Sequence, residues 1–368
     1  MMKHIKFIAK DQQQQAFAAT VRKNVNTYFT ENGISIKGNL TLYLQTITML
    51  TLYIAPFLLV LTVITNIGIA FLMSVVMGIG MAGIGMCVMH DGAHQSFSEK
   101  EWVNKLFAST MYLLGSSLMN WKIQHNVLHH TYTNINGYDQ DIESRGPLRL
   151  SEQAPIKKFH YYQHLYAFLF YGLMTISKIV RDFSFLKLYH QTGLIKYHKE
   201  NNDYEYVTMF ITKAVYLFIV IAIPILITPF TWWQVLLGFL MMHWVAGCIL
   251  TLIFQMAHLV EGAEQPMPDE AGYIHHDWTV HQLMTTSDFG RDNDLLNWYI
   301  GGLNFQIEHH LFPNISHVHY RKIAPIIEKT AKEFGYHYNI KPTFMHAVAS
   351  HIRRLKALGQ AKQAGKTN

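Results

Sequence analysis

The segment Ile67–His94, IGIAFLMSVVMGIGMAGIGMCVMHDGAH, begins as an uncharged apolar run and closes on two histidines, His90 and His94. About 20 apolar residues suffice for a helix to cross a bilayer, so Ile67 to Met89 reads as a span. If the helix continues past the span, residues four apart share a face. Both imidazoles can then converge on one ion just outside the membrane.

Three other runs have spanning length. Leu42 to Ile64 precedes the first segment with little more than Thr65 and Asn66 between them, and Val207 to Thr228 is joined through Pro229–Trp232 to Trp233–Met256. Pro56 and Pro224 should kink their helices, which membranes tolerate. Trp232 and Trp233 suit an interfacial belt. Leu106 to Met119 and Leu165 to Ile176 are too short to span and are expected to lie in or near the interface. Of 368 residues, half are hydrophobic and 15% are charged, which favours a membrane protein over two soluble domains.

The charges fix an expected orientation. Lys and Arg number six before the first span, twelve between the hairpins and eleven after the fourth span, which is 29 of 30. The last, Lys213, is expected to snorkel from the third span. With none in the hairpin connections, the positive-inside rule places both termini inside. The net charge of +6 is spread over several segments without a nucleic-acid motif, so no nucleic-acid partner is implied. Cys87 and Cys248 sit in apolar runs and read as buried filler. Three regions follow: a cytoplasmic N-terminal segment (1–40) with a solvated glutamine run at Gln12–Gln15, a membrane-embedded domain (41–345), and a basic, fraying tail (346–368).

The 22 histidines make imidazole the expected metal ligand. In HNVLHH, His125 and His129 share a helical face, while His130 points about 100° away, towards a second ion. QIEHH holds Gln306, His309 and His310, and His258 follows the fourth span in QMAHLVEG. Eight histidines and an amide are too many for one ion and suit two. Residue type alone leaves iron, copper and zinc open. Asp91, Glu308 and Glu261 sit within a turn of these positions, where each could hold an imidazole proton or stand solvated. His243 lies too deep in its span and is expected to be an interhelical hydrogen-bonding group. Asn120, Trp121 and Lys122 are candidates for the mouth of a substrate tunnel, against the plainer reading of an interfacial Trp–Lys pair.

HDGAH, HNVLHH and QIEHH resemble the three histidine boxes of membrane fatty acid desaturases. The third box, in GGLNFQIEHHLFP (Gly301–Pro313), resembles the front-end type, and HHTYTNINGYDQDIE (His129–Glu143) and WTVHQLMTTSDF (Trp278–Phe289) extend the likeness. It covers the chain from about Phe17 to Tyr338. The resemblance implies an all-α integral membrane fold: four transmembrane helices in two hairpins, interfacial helices, and a cytoplasmic helical cap carrying a histidine-rich di-iron site. It implies two iron ions on the eight histidines, with His258 as the ligand after the fourth span. Gln306 would bind directly or through water. It also implies dioxygen as co-substrate and a cis double bond placed on the carboxyl side of an existing one, in a linoleoyl-type chain carried as acyl-CoA or acyl-lipid. Residues 1–40 contain no HPGG haem motif, so electrons are expected from a separate ferredoxin or cytochrome b5 type donor, at a bacterial inner membrane.

Chemistry points the same way. An unactivated methylene is beyond any side-chain base, so a redox cofactor is required. Hydroxylation or ketolation on the same scaffold is the competing reaction. A histidine-based metal transporter would place its site at the bilayer midplane, whereas these clusters lie outside the apolar runs.

Overall fold

Among the described residues, four helices are long and apolar enough to cross a membrane: Leu40–Thr62, Ile67–Ala93, Glu205–Ile227 and Trp232–His258. The computed structural model describes residues 5–143, 146–197 and 204–361. Asn39 and Asn66 cap the first two spans, each accepting a hydrogen bond from a backbone N–H of the first turn. Both later members of the hairpins outrun the apolar stretch, so HDGA forms the last turn of the second span and His258 is the final residue of the fourth. A π-helical turn at Phe218–Ala222 precedes Pro224 and accommodates the missing proline N–H.

The chain divides into two units. The spanning unit comprises Gly38–Ile123 and Phe168–Leu252. Within it Lys213 does not snorkel. Its ammonium is buried and donates to Asp182 Oδ2 (2.8 Å), the Gly115 carbonyl (2.8 Å) and the Lys178 carbonyl (3.1 Å). A carboxylate and two carbonyls satisfy all three protons, so the charge has no need of water. The Leu106–Met119 run is not one helix: Glu101–Ala108 tightens into a 3-10 segment, Ser109–Leu114, and breaks at Gly115 with φ +69°. Leu165–Ile176 is likewise divided, between helices Gln163–Tyr171 and Met174–Thr192.

The other unit comprises Met1–Lys37, Gln124–Ala167 and Ile253–Asn368. Its N-terminal part is structured rather than merely solvated. Asp11 caps a helix over Gln12–Asn32, and Phe17, Val21, Val25 and Phe29, each four residues on, bury one stripe against Ile323 and Ile327. Each such side chain contributes about 1.5–3 kcal/mol. Two short parallel pairs, Lys6–Phe7 with Tyr273–Ile274 and Asp288–Phe289 with Ile340–Lys341, tie distant segments together. The basic tail is an ordered helix, Phe344–Gln360, with His351, Leu355 and Leu358 buried. Residues 362–368 lie outside the described part of the chain.

Candidate metal centre

HNVLHH sits on a continuous helix, residues 118–132, that winds as a π-helix over Lys122–His129. The wider i→i+5 closure changes the expected geometry, because residue i+5 now lies beside residue i together with i+4. His129 therefore stacks on His125 with ring centroids 5.2 Å apart, and His130 also meets His125, at 4.8 Å. His130 does not point away. Its Nε2 lies 3.2 Å from Nε2 of His125.

The other histidines of this unit arrive from two directions. The fourth span ends on His258, whose ring is 4.6 Å from that of His129. The short helix Gln306–Leu311 brings His310 within 4.8 Å of His129 and His258, and His309 within 4.6 Å of His130. His129, His258 and His310 have ligand nitrogens within 4.8 Å of one another, as do His130, His309 and His310. His310 belongs to both triads. The Gln306 amide lies 3.0 Å from His258 Nε2, at the edge of the first.

Partners that spacing did not reveal hold the rings. Asp139 Oδ2 accepts from His129 Nδ1 at 3.0 Å, with Asp141 Oδ2 3.7 Å from the same atom. Burial alone would lower the His129 pKa, but the two aspartates outweigh it and hold it above the ordinary value. Asp141 can also join His125 and His129 as a donor group. His310 Nδ1 donates to Gln282 Oε1 at 2.8 Å, and His309 Nδ1 lies 3.2 Å from the Tyr320 hydroxyl. Asn134, at φ +59°, places its amide nitrogen 3.0–3.1 Å from the carbonyls of His258, Glu264 and Thr285. This ties the end of the fourth span to the loop after HNVLHH. Asn134, Asp139 and Asp141 all fall in the HHTYTNINGYDQDIE stretch, the signal from which they could have been found. His281 is buried, 2.9 Å from the Thr133 carbonyl, and burial lowers its pKa to about 3.

Glu308 is buried but serves a different partner from the one expected. Its Oε1 is 2.6 Å from the Tyr338 hydroxyl, which is 2.7 Å from Asp288 Oδ2, while Asp288 Oδ1 accepts from the Ile307 amide. Two hydrogen bonds through one phenol require two protons, so one carboxyl of the pair carries one. Burial drives the Asp288 carboxyl up to about 6 and, with the charge of Asp288, holds Glu308 well above the carboxylate range. The cluster clamps the QIEHH helix from behind. Glu261 faces Arg353 (2.6 Å) and Ser350, half exposed, and its carboxylate holds no imidazole among these contacts.

In the spanning unit His90 and His94 have ring centroids 4.6 Å apart, and Trp121 stands 5.8 Å from each. Asp91 Oδ1 is 3.9 Å from His90 Nδ1. Asn120 is buried and donates to the Asp182 carbonyl at 2.7 Å, which makes it a tether; Lys122 is half-buried.

The donor set fits a metal. His129 Nδ1 is committed to Asp139, whereas its buried Nε2 has no hydrogen-bonding partner among the described residues. A buried imidazole nitrogen left so, beside two others, is the arrangement a cation relieves. Comparison with known proteins then decides the family. The fatty acid desaturase family model matches residues 40–342. The chain belongs to the fatty acid desaturase family. It is 33% identical over 352 residues to the sn-1 linoleoyl-lipid 6-desaturase of Arthrospira platensis, covering 93% of this chain and 92% of that protein. The Synechocystis sp. protein of the same name is 32% identical (95% and 97% covered), and an acyl-lipid (8-3)-desaturase of Physcomitrium patens is 31% identical (95% and 73%). This desaturase is a membrane oxidoreductase of the front-end type, acting on fatty-acyl chains.

Proposed function

We propose that this desaturase inserts a cis double bond into linoleoyl-type chains esterified in membrane lipids, on the carboxyl side of the existing bonds and at position 6. The observation that carries this reading is near full-length similarity to two linoleoyl-lipid 6-desaturases, joined to the buried imidazole cluster. Acyl-CoA is the alternative carrier.

We infer that the resident metal is iron, in two ions, with dioxygen as co-substrate. The ligands would be His125, His129, His130, His258, His309 and His310, joined by His90 and His94 as the resemblance implies, with Gln306 direct or through water. Bound iron would supply the redox chemistry that reduces dioxygen while two hydrogens leave neighbouring carbons. The chain's own work is different. Asp139, Gln282 and Tyr320 hold imidazole Nδ1 atoms so that Nε2 faces inward, and burial excludes water from the donor atoms. Asp91 and Glu308 would support the ligand-bearing turns, Glu308 through Tyr338. Electrons would come from a separate ferredoxin or cytochrome b5 type protein. The distribution of Lys and Arg supports both termini on the inner side, and the family resemblance would set the protein in a bacterial inner membrane.

The test is expression in a host lacking the activity, with defined fatty acids supplied. Double-bond positions and lipid classes are then mapped by mass spectrometry. A new bond at position 6, appearing first in intact lipids, is expected. Products that gain oxygen would assign a hydroxylase instead, and products appearing first in acyl-CoA would move the carrier.

A further inference from the structure

The Glu101–Leu114 segment descends alongside the second span instead of lying across its end. A Cβ added at Gly92 would stand 2.5 Å from the Ala108 amide nitrogen, so the two backbones touch at the level of the first box. Six residues further on, Leu114 packs at Gly85, where a Cβ would meet it at 3.5 Å. Gly92 to Gly85 is about 10 Å of helix. The chain turns at Gly115, whose left-handed φ and 2.6 Å clearance from the Tyr216 ring admit no side chain. It then climbs as the 118–132 helix, and by Trp121 it is back against His90 and His94.

Irregular backbone at membrane depth is tolerated only where protein satisfies it. Here three span or near-span side chains do so. Tyr53 donates to the Leu113 carbonyl at 2.8 Å, Lys213 to the Gly115 carbonyl at 2.8 Å, and Asp182 accepts from the Ser117 amide at 2.8 Å. Asp182 and Lys213 are themselves paired at 2.8 Å, and the Asp182 carbonyl holds Asn120. The first turn of the helix that carries His125, His129 and His130 is thus fixed at its start to a buried ion pair.

We propose that residues 101–121 form a re-entrant hairpin, entering from the histidine-bearing end of the second span and returning to it, and that the Asp182–Lys213 pair is a pin that positions the second-box helix. Both are positioning residues. The ligand role of that helix rests on the proposed function; the path of the hairpin does not.

Two measurements test this. Nitroxides are placed at Leu106→Cys and Leu113→Cys, both partly exposed, in the full chain in nanodiscs, and depth is read from oxygen against nickel accessibility. Leu113 should lie about 10 Å deeper than Leu106. Equal depths, or a Leu113 label at the opposite interface, would overturn the hairpin whether or not metal binds. For the pin, Lys213→Met alone strands a buried carboxylate and should lower the melting temperature. Adding Asp182→Leu removes that charge and should restore folding but not the Ser117 hold. The double variant should then carry at least threefold less iron per chain than wild type, with a broadened double-bond distribution. A folded double variant with wild-type iron and products sinks the pin. If neither variant folds, Lys213→Arg decides: it keeps the charge but lengthens the reach, so reduced iron in folded protein supports the pin and unchanged iron overturns it.

Discussion

His129 in the non-spanning unit and His243 in the spanning unit are both fully buried, yet their nitrogens are used in opposite ways. His243 has both committed, Nε2 to the Tyr216 hydroxyl at 2.7 Å and Nδ1 to Thr175 Oγ1 at 3.1 Å. His129 has Nδ1 committed to Asp139 and a buried Nε2 without a hydrogen-bonding partner among the described residues, in a ring 4.6 Å from that of His258 and 4.8 Å from that of His310. Burial does not distinguish a structural histidine from a ligand. The second nitrogen does: occupied, it locks helices together; kept for a cation and steered by a carboxylate, it makes a metal site.

The largest test of this contrast is His310→Ala, because His310 belongs to both triads. Metal measured by mass spectrometry should fall below half of wild type, and desaturation should drop on the order of a thousandfold or more. Stoichiometric metal in the folded variant would mean that the triads are not metal sites. Asp139→Asn should come next. It keeps the shape but replaces the carboxylate that holds Nδ1–H, and a loss of about 10–100-fold in metal affinity is expected. Asp139→Glu should recover part of it. An Asp139→Asn protein with wild-type affinity would reduce the aspartate to a folding role. On the other side of the comparison, His243→Leu should leave metal content alone and cost about 1–3 kcal/mol, by removing the imidazole partner of the buried Tyr216 hydroxyl, while Thr175 keeps its bond to the carbonyl of residue 243. Thermal melts and metal content, read together, check it; metal loss without destabilisation would break the distinction.

Legibility in the sequence followed the range of the interactions. The four long apolar helices begin and end within a few residues of the apolar runs, because a run of that length without charges favours one continuous helix. The six candidate histidines between His125 and His310, five read from their pairing within two motifs and His258 from its place after the fourth apolar run, do lie together. What failed was tertiary or depended on winding. Lys213 was misread because its partner, Asp182, stands 31 residues away with no pattern to link them. The contact of His130 with His125 depended on π rather than α winding, which HNVLHH does not announce, though His130 still falls in a different triad from His129. Asp139, Gln282 and Tyr338 act across turns or between distant segments. The stripe of Phe17, Val21, Val25 and Phe29 is different: its four-residue spacing was open to reading behind the glutamines.

The smallest effect concerns a third kind of buried imidazole, one that titrates against folding. His351 is enclosed by the C-terminal helix, and its Nδ1 donates to the Leu259 carbonyl at 2.8 Å. Burial depresses its pKa to about 4. The unfolded chain, with an ordinary histidine near 6.5, therefore binds more protons between those values, so stability rises with pH through that window and is lost as pH falls. From pH 7.5 to 6 the difference is about 0.8 kcal/mol, or a few degrees at most in the melting temperature. His351→Gln carries no titrating proton and should show a correspondingly shallower slope than wild type, whatever the other histidines contribute to both. If the two slopes match, protonation of His351 does not oppose docking of the helix. The contrast between imidazoles that must stay neutral for packing and those reserved for a cation would then need another basis.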